Sequence, residues 1–256
     1  MKKFKDKKNR QTKLNTFKNS YFIWGKHSIE SAINNSNRNI NVIHSIKNNL
    51  LWIEEKLSNV DRKKVQIKES DKLFLDKLSG NSPHQGIIAE VQFLEWPSLE
   101  EILLKIKHQS SRIVLLDQVT DPQNIGSIIR LSQAFNVDAI IATKIHIPNE
   151  NGLMARASAG AIENIPLIRV TNLSRAIETL KNEDFDIIGL ENTGKNNLED
   201  IAKFPRIAIV LGSEGRGLRH LTKEKLSYLV KIPIAEKTES LNVSTAAAIA
   251  LYVIRK

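Results

Sequence analysis

The sequence contains no cysteine and no long apolar run. The absence of cysteine excludes disulfides, thiolate metal sites and cysteine nucleophiles, and it favours a reducing compartment such as the cytoplasm. The densest apolar stretch, residues 246–254, is far shorter than the roughly 18–20 residues that a membrane-spanning helix needs. The six histidines show no HExxH or other ligand spacing. The sequence therefore predicts neither a metal site nor a membrane segment.

Negative charge is scarce at the start of the chain. Residues 1–20 hold eight basic side chains against the single acidic residue Asp6, so most of the net charge of +10 belongs to this segment. A basic segment without an apolar stretch is not a secretory signal. We expect a disordered basic tail, which either attracts the phosphates of a polyanion in a salt-dependent way or serves only as a solubilising extension.

Residues 21–95 and 96–256 differ in their hydrophobic pattern, which predicts two domains. The first segment alternates short helical and strand patterns, as is typical of a small α/β domain. The sequence Glu95-Trp96-Pro97 interrupts it, because proline disfavours helix in the preceding residue and has no N–H to donate. We expect a linker there, followed by a helix that begins with a capping box of Ser98 and Glu101.

The second domain repeats continuous apolar runs of strand length between helical patterns. Continuous rather than alternating runs are typical of strands covered on both faces, so this sheet should be parallel with helices on both sides. The predicted strands are 113–116, 139–142, 167–170, 186–190, 207–211 and 229–232. The fold class is therefore α/β with an open parallel sheet.

A polar segment follows the first of these strands. It reads Asp121-Pro122-Gln123-Asn124 and continues to Arg130. Ligands of open α/β sheets bind beyond the carboxyl ends of the strands, so this segment is a candidate site. Asn124 and Arg130 are six residues apart, or roughly 600° around a helix, so we expect Asn124 in the turn and Arg130 on the helix. The alternative is an ordinary helix start, with Asp121 as N-cap and Arg130 on the solvated surface.

A glycine-rich loop forms the second candidate segment, directly after the strand 207–211. Glycines occupy positions 212, 215 and 217. Glycine lets the backbone approach a ligand closely, so this loop could enclose a cofactor. The spacing G-x-x-G-x-G matches neither the dinucleotide nor the Walker pattern, and NAD and ATP are not favoured. A tight turn without a ligand is the alternative.

The third candidate segment leads into the last helix. It runs from Ile232-Pro233 to Ser240-Leu241-Asn242. Asn242 is a good N-cap, because its side-chain oxygen can accept hydrogen bonds from the first-turn amides. Taken alone, the segment is equally well explained as a helix start.

In this order, the three segments resemble the SpoU/TrmH family of RNA 2′-O-methyltransferases. The resemblance covers residues 112–256 and is carried by N-x-G-x-x-x-R, by G-S-E-G-x-G-L, and by I-P with S-L-N-V-S before an alanine-rich helix. The N-terminal part, with W-G-K-H-S at 24–28 and H-Q-G-I at 84–87, resembles the L30e-like substrate-binding domain of members that methylate a guanosine in large-subunit rRNA.

The resemblance implies an α/β trefoil knot, S-adenosylmethionine as cofactor, a homodimer and an rRNA substrate in the cytoplasm. The implied cofactor contacts are Gly212, Ile232 and Leu241. The catalytic positions of the family fall on Asn124, Arg130, Glu214, Ser240 and Asn242. The basic tail is not part of the resemblance. A tRNA ribose methyltransferase and a non-catalytic RNA-binding protein that keeps the fold are the alternatives.

Overall fold

The computed structural model describes residues 19–60, 65–107, 110–201 and 204–255. The basic tail predicted over residues 1–20 therefore lies almost wholly outside the described residues. The described chain forms two sheets, joined by the extended segment 93–98.

The N-terminal sheet has the strand order β1-β4-β2-β3. Strand β4 is antiparallel to both of its neighbours, whereas β2 and β3 are parallel. In chain order, its elements are β1 (Ser20–Trp24), α1 (Lys26–Asn34), β2 (Ile40–Ser45), α2 (Leu50–Ser58), β3 (Gln66–Glu69), α3 (Lys72–Ser79) and β4 (Ile87–Gln92).

The second sheet has the strand order β7-β6-β5-β10-β8-β11-β9, and all of its pairings are parallel. The predicted parallel sheet is confirmed, and the short strand β9 was not predicted. In chain order, the elements are α4 (Leu99–Lys105), β5 (Ser111–Asp117), α5 (Pro122–Ala134), β6 (Ala139–Thr143), α6 (Gly152–Ser158), β7 (Leu167–Val170), α7 (Leu173–Asn182), β8 (Asp186–Leu190), β9 (Asn196–Asn197), β10 (Arg206–Gly212), α8 (His220–Lys223), β11 (Tyr228–Lys231) and α9 (Val243–Val253).

Two apolar layers cover this sheet, which explains the continuous apolar runs. Successive side chains of a strand point to opposite faces. Val114 and Leu116 of β5 belong to the core that includes α5, α6 and α9, whereas Ile113 and Leu115 belong to the core that includes α4 and α7. All seven residues of β5 are buried. Each such aliphatic side chain contributes about 1.5–3 kcal/mol to folding.

Three helix starts follow the capping rules read from the sequence. Ser98 and Glu101 form the expected capping box at α4. Asp121 caps α5 through the amides of residues 123 and 124, with Pro122 as the first helical residue. Asn242 caps α9 by accepting from the amides of residues 244 and 245. These caps fix where the polar segments begin.

The two sheets are held together by a buried ionic cluster that sequence analysis did not anticipate. The Arg38 guanidinium donates through Nε to both Glu163 carboxylate oxygens, at 3.1 and 2.9 Å, and through one terminal nitrogen to Glu150 Oε2 at 3.1 Å. The Tyr21 hydroxyl donates to Glu150 Oε2 at 2.7 Å. Burial, together with the Glu150 carboxylate, raises the pKa of Tyr21 well above its usual value, so the hydroxyl stays a donor.

Candidate active site

The glycine loop and the segment before α5 begin side by side at the carboxyl edge of the second sheet. Strand β10 pairs with β5 in parallel, and Gly212 lies opposite Asp117 at the end of both strands. This edge is where open α/β sheets bind ligands. The strand register therefore brings two of the three candidate segments together, although they are about ninety residues apart in sequence.

A cavity of about 370 Å³ opens beside the glycine loop. Its wall includes all three residues expected to contact a cofactor, namely Gly212, Ile232 and Leu241. It also includes Glu214 and Ser240, two of the expected catalytic residues. The volume lies within the roughly 300–1,000 Å³ of typical small-molecule and cofactor sites.

Gly212 allows the loop to fold back on itself. A Cβ at this position would lie 2.6 Å from the Gly217 carbonyl oxygen and 2.7 Å from the Leu218 nitrogen. These are backbone atoms, so the loop would have to open to accept a side chain. The Gly217 amide in turn donates to the Ser213 carbonyl at 2.9 Å and closes the turn. Glycine at 212 is thus required by the shape of the cavity wall.

An amide–carboxylate cluster of Asn124, Glu214 and Asn242 joins all three candidate segments. Glu214 Oε1 accepts from Asn124 Nδ2 at 3.1 Å and from Asn242 Nδ2 at 2.6 Å. Asn242 Nδ2 also donates to Asn124 Oδ1 at 3.0 Å. The side-chain oxygen Oδ1 of Asn242 accepts from the backbone amides of Ser244 and Thr245 in the first turn of α9. The cluster is solvent-accessible, since Glu214 and Asn242 are exposed and Asn124 is half-buried.

Asn124 does not lie in the turn, where we expected it. It is the third residue of α5, because the cap at Asp121 starts the helix at Pro122. Asn124 and Arg130 therefore lie on one helix, about 9 Å apart along its axis and about 120° apart around it. Arg130 is exposed and lies outside both the cavity wall and the hydrogen bonds of the amide–carboxylate cluster. Among the described residues, no hydrogen bond joins Arg130 to another predicted catalytic residue.

Sequence analysis missed an ion pair that anchors the glycine loop. Asp117 is fully buried, and its carboxylate accepts from Arg219 Nε at 2.6 Å and from the Arg219 backbone amide at 3.1 Å. Asp117 ends β5, and Arg219 follows the glycine loop. The loop is thus fixed at one end by β10 and at the other by this pair. The same carboxyl-edge rule that singled out Asn124 could have found Asp117.

Substitution Arg219→Ala should lower the free energy of unfolding by about 2–4 kcal/mol, because it leaves the buried Asp117 carboxylate without its charged partner. Urea unfolding of the purified variant measures the change. Arg216→Ala is the matched control, since Arg216 lies in the same loop and is exposed. Equal stability of the two variants would show that the pair does not hold the loop.

The loop that follows β8 completes the cavity wall. Glu191, Asn192 and Thr193 line the cavity, and Glu191 forms an ion pair of 2.6 Å with Lys223. Within the described ranges, no helix is long and apolar enough to cross a membrane. The same residues contain no group of three or more His, Asp or Glu side chains that could hold a metal ion. The cavity wall offers amides, three carboxylates, hydroxyls and the guanidinium of Arg216.

An open parallel sheet with a glycine-walled cavity at its carboxyl edge defines a ligand-binding α/β protein. The model of the SpoU rRNA Methylase family matches residues 111–252, and that of the RNA 2′-O ribose methyltransferase substrate-binding domain matches residues 22–97. A TrmH family tRNA/rRNA methyltransferase of Staphylococcus epidermidis is 36% identical over 236 residues, which cover 91% of this chain and 94% of that protein. The chain belongs to the SpoU rRNA methylase family.

Two solved structures share the fold over most of the chain. The SpoU methyltransferase AviRb from Streptomyces viridochromogenes, in complex with AdoMet, superposes with a TM-score of 0.77 at 21% identity, covering 92% of this chain and 89% of that one. The AdoMet-bound rRNA methyltransferase from Sinorhizobium meliloti gives a TM-score of 0.76 at 20% identity, covering 92% and 87%. At these identities the likeness establishes the fold alone, whereas the family expected from the sequence is confirmed by the family model and by the relative from Staphylococcus epidermidis.

Proposed function

We propose that this protein methylates the 2′-hydroxyl of a ribose in RNA, with S-adenosylmethionine as methyl donor. The observation that carries the proposal is the amide–carboxylate cluster beside the glycine-walled cavity, where three separate segments meet. Family membership and two AdoMet-bound structural relatives support the same donor. The proposed substrate is a guanosine of large-subunit rRNA, which places the reaction in the cytoplasm.

The cavity fits the methyl donor in size and in wall composition. When bound, S-adenosylmethionine supplies an electrophilic methyl group on a sulfonium. We assign Gly212, Ile232 and Leu241 to the contacts with this donor. Gly212 has no Cβ, so the glycine loop can fold closely enough to form the cavity wall. Ile232 and Leu241 provide apolar surface for the donor to pack against. These residues bind and orient the donor and take no part in proton transfer.

The amide–carboxylate cluster orients the ribose hydroxyl in this proposal. Both amides donate to Glu214 Oε1, and Oε2 has no hydrogen-bond partner among the described residues. Oε2 can therefore accept from the 2′-hydroxyl and direct its oxygen toward the methyl group. Ser240, in the cavity wall, can donate a further hydrogen bond. Positioning of this kind is the main contribution that a protein can make to displacement at carbon.

We assign Arg130 to a phosphate of the RNA rather than to proton removal. A guanidinium keeps its proton throughout the physiological pH range, so an arginine is a poor proton acceptor. Its exposed position on α5, outside the cluster, also fits a residue that meets the RNA backbone. A guanidinium binds phosphate in a bidentate way and stabilises developing negative charge nearby. As the methyl group transfers, the 2′-hydroxyl proton leaves its hydrogen bond with Glu214 Oε2 and passes to this phosphate or to a water molecule.

We extend the proposal to a trefoil knot in the segment after β11. There the Asn192 side chain, in the loop after β8, donates to the Glu239 carbonyl before the chain enters α9. The same loop region leaves no room for a Cβ at Gly194, which would lie 2.7 Å from the Lys231 nitrogen. Arg112 Nε donates to the Ile254 carbonyl at 2.5 Å and holds the end of α9 against β5. Close passage of the C-terminal segment supports a threaded chain.

We propose a homodimer through α5 and α9. Ile249 and Tyr252 of α9 expose 36% and 57% of their surface. The Tyr252 ring meets Phe135, at the end of α5, edge to face at 6.3 Å. An apolar helix face of this kind is suited to a two-fold interface, in which the same patch is buried on both copies.

We propose a separate function for each of the two sheet-containing parts of the chain. Residues 21–95 would bind the RNA substrate, residues 96–256 would transfer the methyl group, and the basic tail 1–20 would add salt-dependent attraction to phosphates. The match of residues 22–97 to a substrate-binding domain supports the first assignment. A tRNA substrate is the second candidate, because the curated relatives are tRNA/rRNA methyltransferases.

The proposal is tested by incubating the protein with radiolabelled S-adenosylmethionine and with separated rRNA and tRNA fractions, followed by alkaline digestion. A 2′-O-methyl group blocks alkaline cleavage at its own position, so a labelled, alkali-resistant dinucleotide from rRNA is the expected product. If the labelled product came from the tRNA fraction alone, the substrate would be tRNA and not rRNA. Binding of RNA without any methyl transfer would favour a non-catalytic RNA-binding protein.

A further inference from the structure

A groove of about 850 Å³, larger than the proposed cofactor cavity, lies between the linker and the edge of the second sheet. We call it the linker groove. One wall is the linker and the start of α4, from Phe93 to Glu100. The other wall is β7 with the first turns of α7, and Lys144 stands at the end of β6. The volume of the groove lies within the roughly 300–1,000 Å³ of typical small-molecule sites, which is room for a nucleotide-sized group.

The charge of the linker groove is positive. Lys144, Arg169 and Arg175 line it, and Lys144 and Arg175 are exposed. Its two carboxylates are Glu100 and Glu150. Glu150 is buried and already paired with Arg38, so it does not offset the cations. A groove with this balance favours an anionic occupant.

The linker groove also holds polar groups that can bind a nucleic acid strand. Trp96 lines it, and the Trp96 indole Nε1 is buried without an acceptor among the described residues. Strand β7 is the edge strand of its sheet, so its outer backbone edge faces the groove without a partner strand in the described part of the chain. Aromatic rings beside cations are the usual platform for single-stranded nucleic acid.

The position of the groove connects the proposed catalytic site to the basic tail. Strands β7, β6, β5 and β10 are consecutive, so the end of β7 is about 14 Å from Gly212 along the carboxyl edge. Lys144 follows β6, between these two points. The Phe93 amide, in the groove wall, donates to the Asn19 carbonyl, where the described chain starts. The tail therefore joins the protein beside the groove.

We propose that the linker groove binds single-stranded RNA next to the nucleotide that is methylated, with Lys144 and Arg175 on successive phosphates. This rests on the proposed function for the identity of the nucleic acid. The RNA then runs from the amide–carboxylate cluster, along the carboxyl edge of the sheet, to the base of the tail. Residues outside the three segments that form the candidate site would thus help to fix which nucleotide reaches the amide–carboxylate cluster.

The test compares two double variants of the full chain that each lose two positive charges. Lys144→Gln with Arg175→Gln removes the exposed cations of the groove. Lys105→Gln with Lys181→Gln is the control, because these exposed lysines lie on α4 and α7 but outside the groove. Binding of a fluorescein-labelled oligouridine is followed by anisotropy over a series of KCl concentrations.

The groove variant should bind about tenfold more weakly than the control, and the slope of log K against log salt should fall by about 1.4, or 0.7 for each lost phosphate contact. Equal affinities and slopes for the two variants overturn the proposal. Methyl transfer by the unmodified protein is measured in the same preparations. If the groove variant binds RNA more weakly than the control but the unmodified protein transfers no methyl group, the groove binds RNA and the proposed function is refuted. If the unmodified protein transfers methyl groups but the two variants bind RNA equally, the proposed function is supported and the role of the groove is refuted.

Discussion

Gly212→Ala should strongly weaken the affinity for S-adenosylmethionine. The new Cβ would lie 2.6 Å from the Gly217 carbonyl oxygen and 2.7 Å from the Leu218 nitrogen, so the glycine loop must open and the cavity wall is lost. Overpacking against backbone costs about 1–3 kcal/mol, and this corresponds to a loss of affinity of about 5- to 160-fold. Isothermal titration with S-adenosylmethionine measures the loss directly.

Gly215→Ala is the matched control for this substitution. Gly215 has a φ of +80°, so alanine there is strained, but its Cβ would meet nothing within 4 Å. The strain costs about 1–2 kcal/mol of stability and leaves the cavity wall in place. If Gly212→Ala binds the donor as well as Gly215→Ala does, the glycine loop is not the wall of the donor site.

Asn124→Ala should lower the turnover of methyl transfer by roughly 10- to 150-fold and leave the affinity for S-adenosylmethionine within about twofold. The substitution removes one donor to the Glu214 carboxylate and the acceptor for Asn242. A hydrogen bond to a charged group contributes about 1.5–3 kcal/mol, which sets the size of the effect. The affinity is retained because Asn124 does not line the cavity.

Single-turnover kinetics and isothermal titration separate these two effects for Asn124→Ala. Gln123→Ala is the control, since Gln123 is the preceding residue of α5, is exposed, and takes no part in the amide–carboxylate cluster. Loss of donor binding in Asn124→Ala, or equal turnover of the two variants, would contradict a positioning role for the asparagine.

Six of the seven strands of the second sheet were predictable, because strands that are covered on both faces have continuous apolar runs; the seventh, β9, is short and exposed. The helix starts were equally predictable, since Asp121, Ser98 and Asn242 each act through neighbours only three residues away. The position predicted for Asn124 was nevertheless wrong, because the rotation of roughly 600° between Asn124 and Arg130 was taken to mean that only Arg130 lies on the helix. Proline as the first helical residue puts Asn124 at the third, within the helix.

Pairs that are distant in sequence were not predictable from pattern alone. Asp117 and Arg219 are 102 residues apart, and Arg38 meets Glu150 and Glu163 across 112 and 125 residues. No local periodicity marks such partners, and both acidic and basic side chains usually indicate a solvated surface. The convergence of Asn124, Glu214 and Asn242 was expected only because the ordered segments resembled a known family.

The buried ionic cluster around Arg38 limits which chimeras of this protein and its relatives can fold stably. Arg38 and Tyr21 come from the N-terminal half, whereas Glu150 and Glu163 come from the other half, and their side chains are sealed from water. A chimera that joined a foreign RNA-reading half to these residues would bury two carboxylates without a cation, a cost of several kcal/mol. Recombination at the linker should therefore yield a stable protein only when the incoming N-terminal part carries an arginine at the position of Arg38.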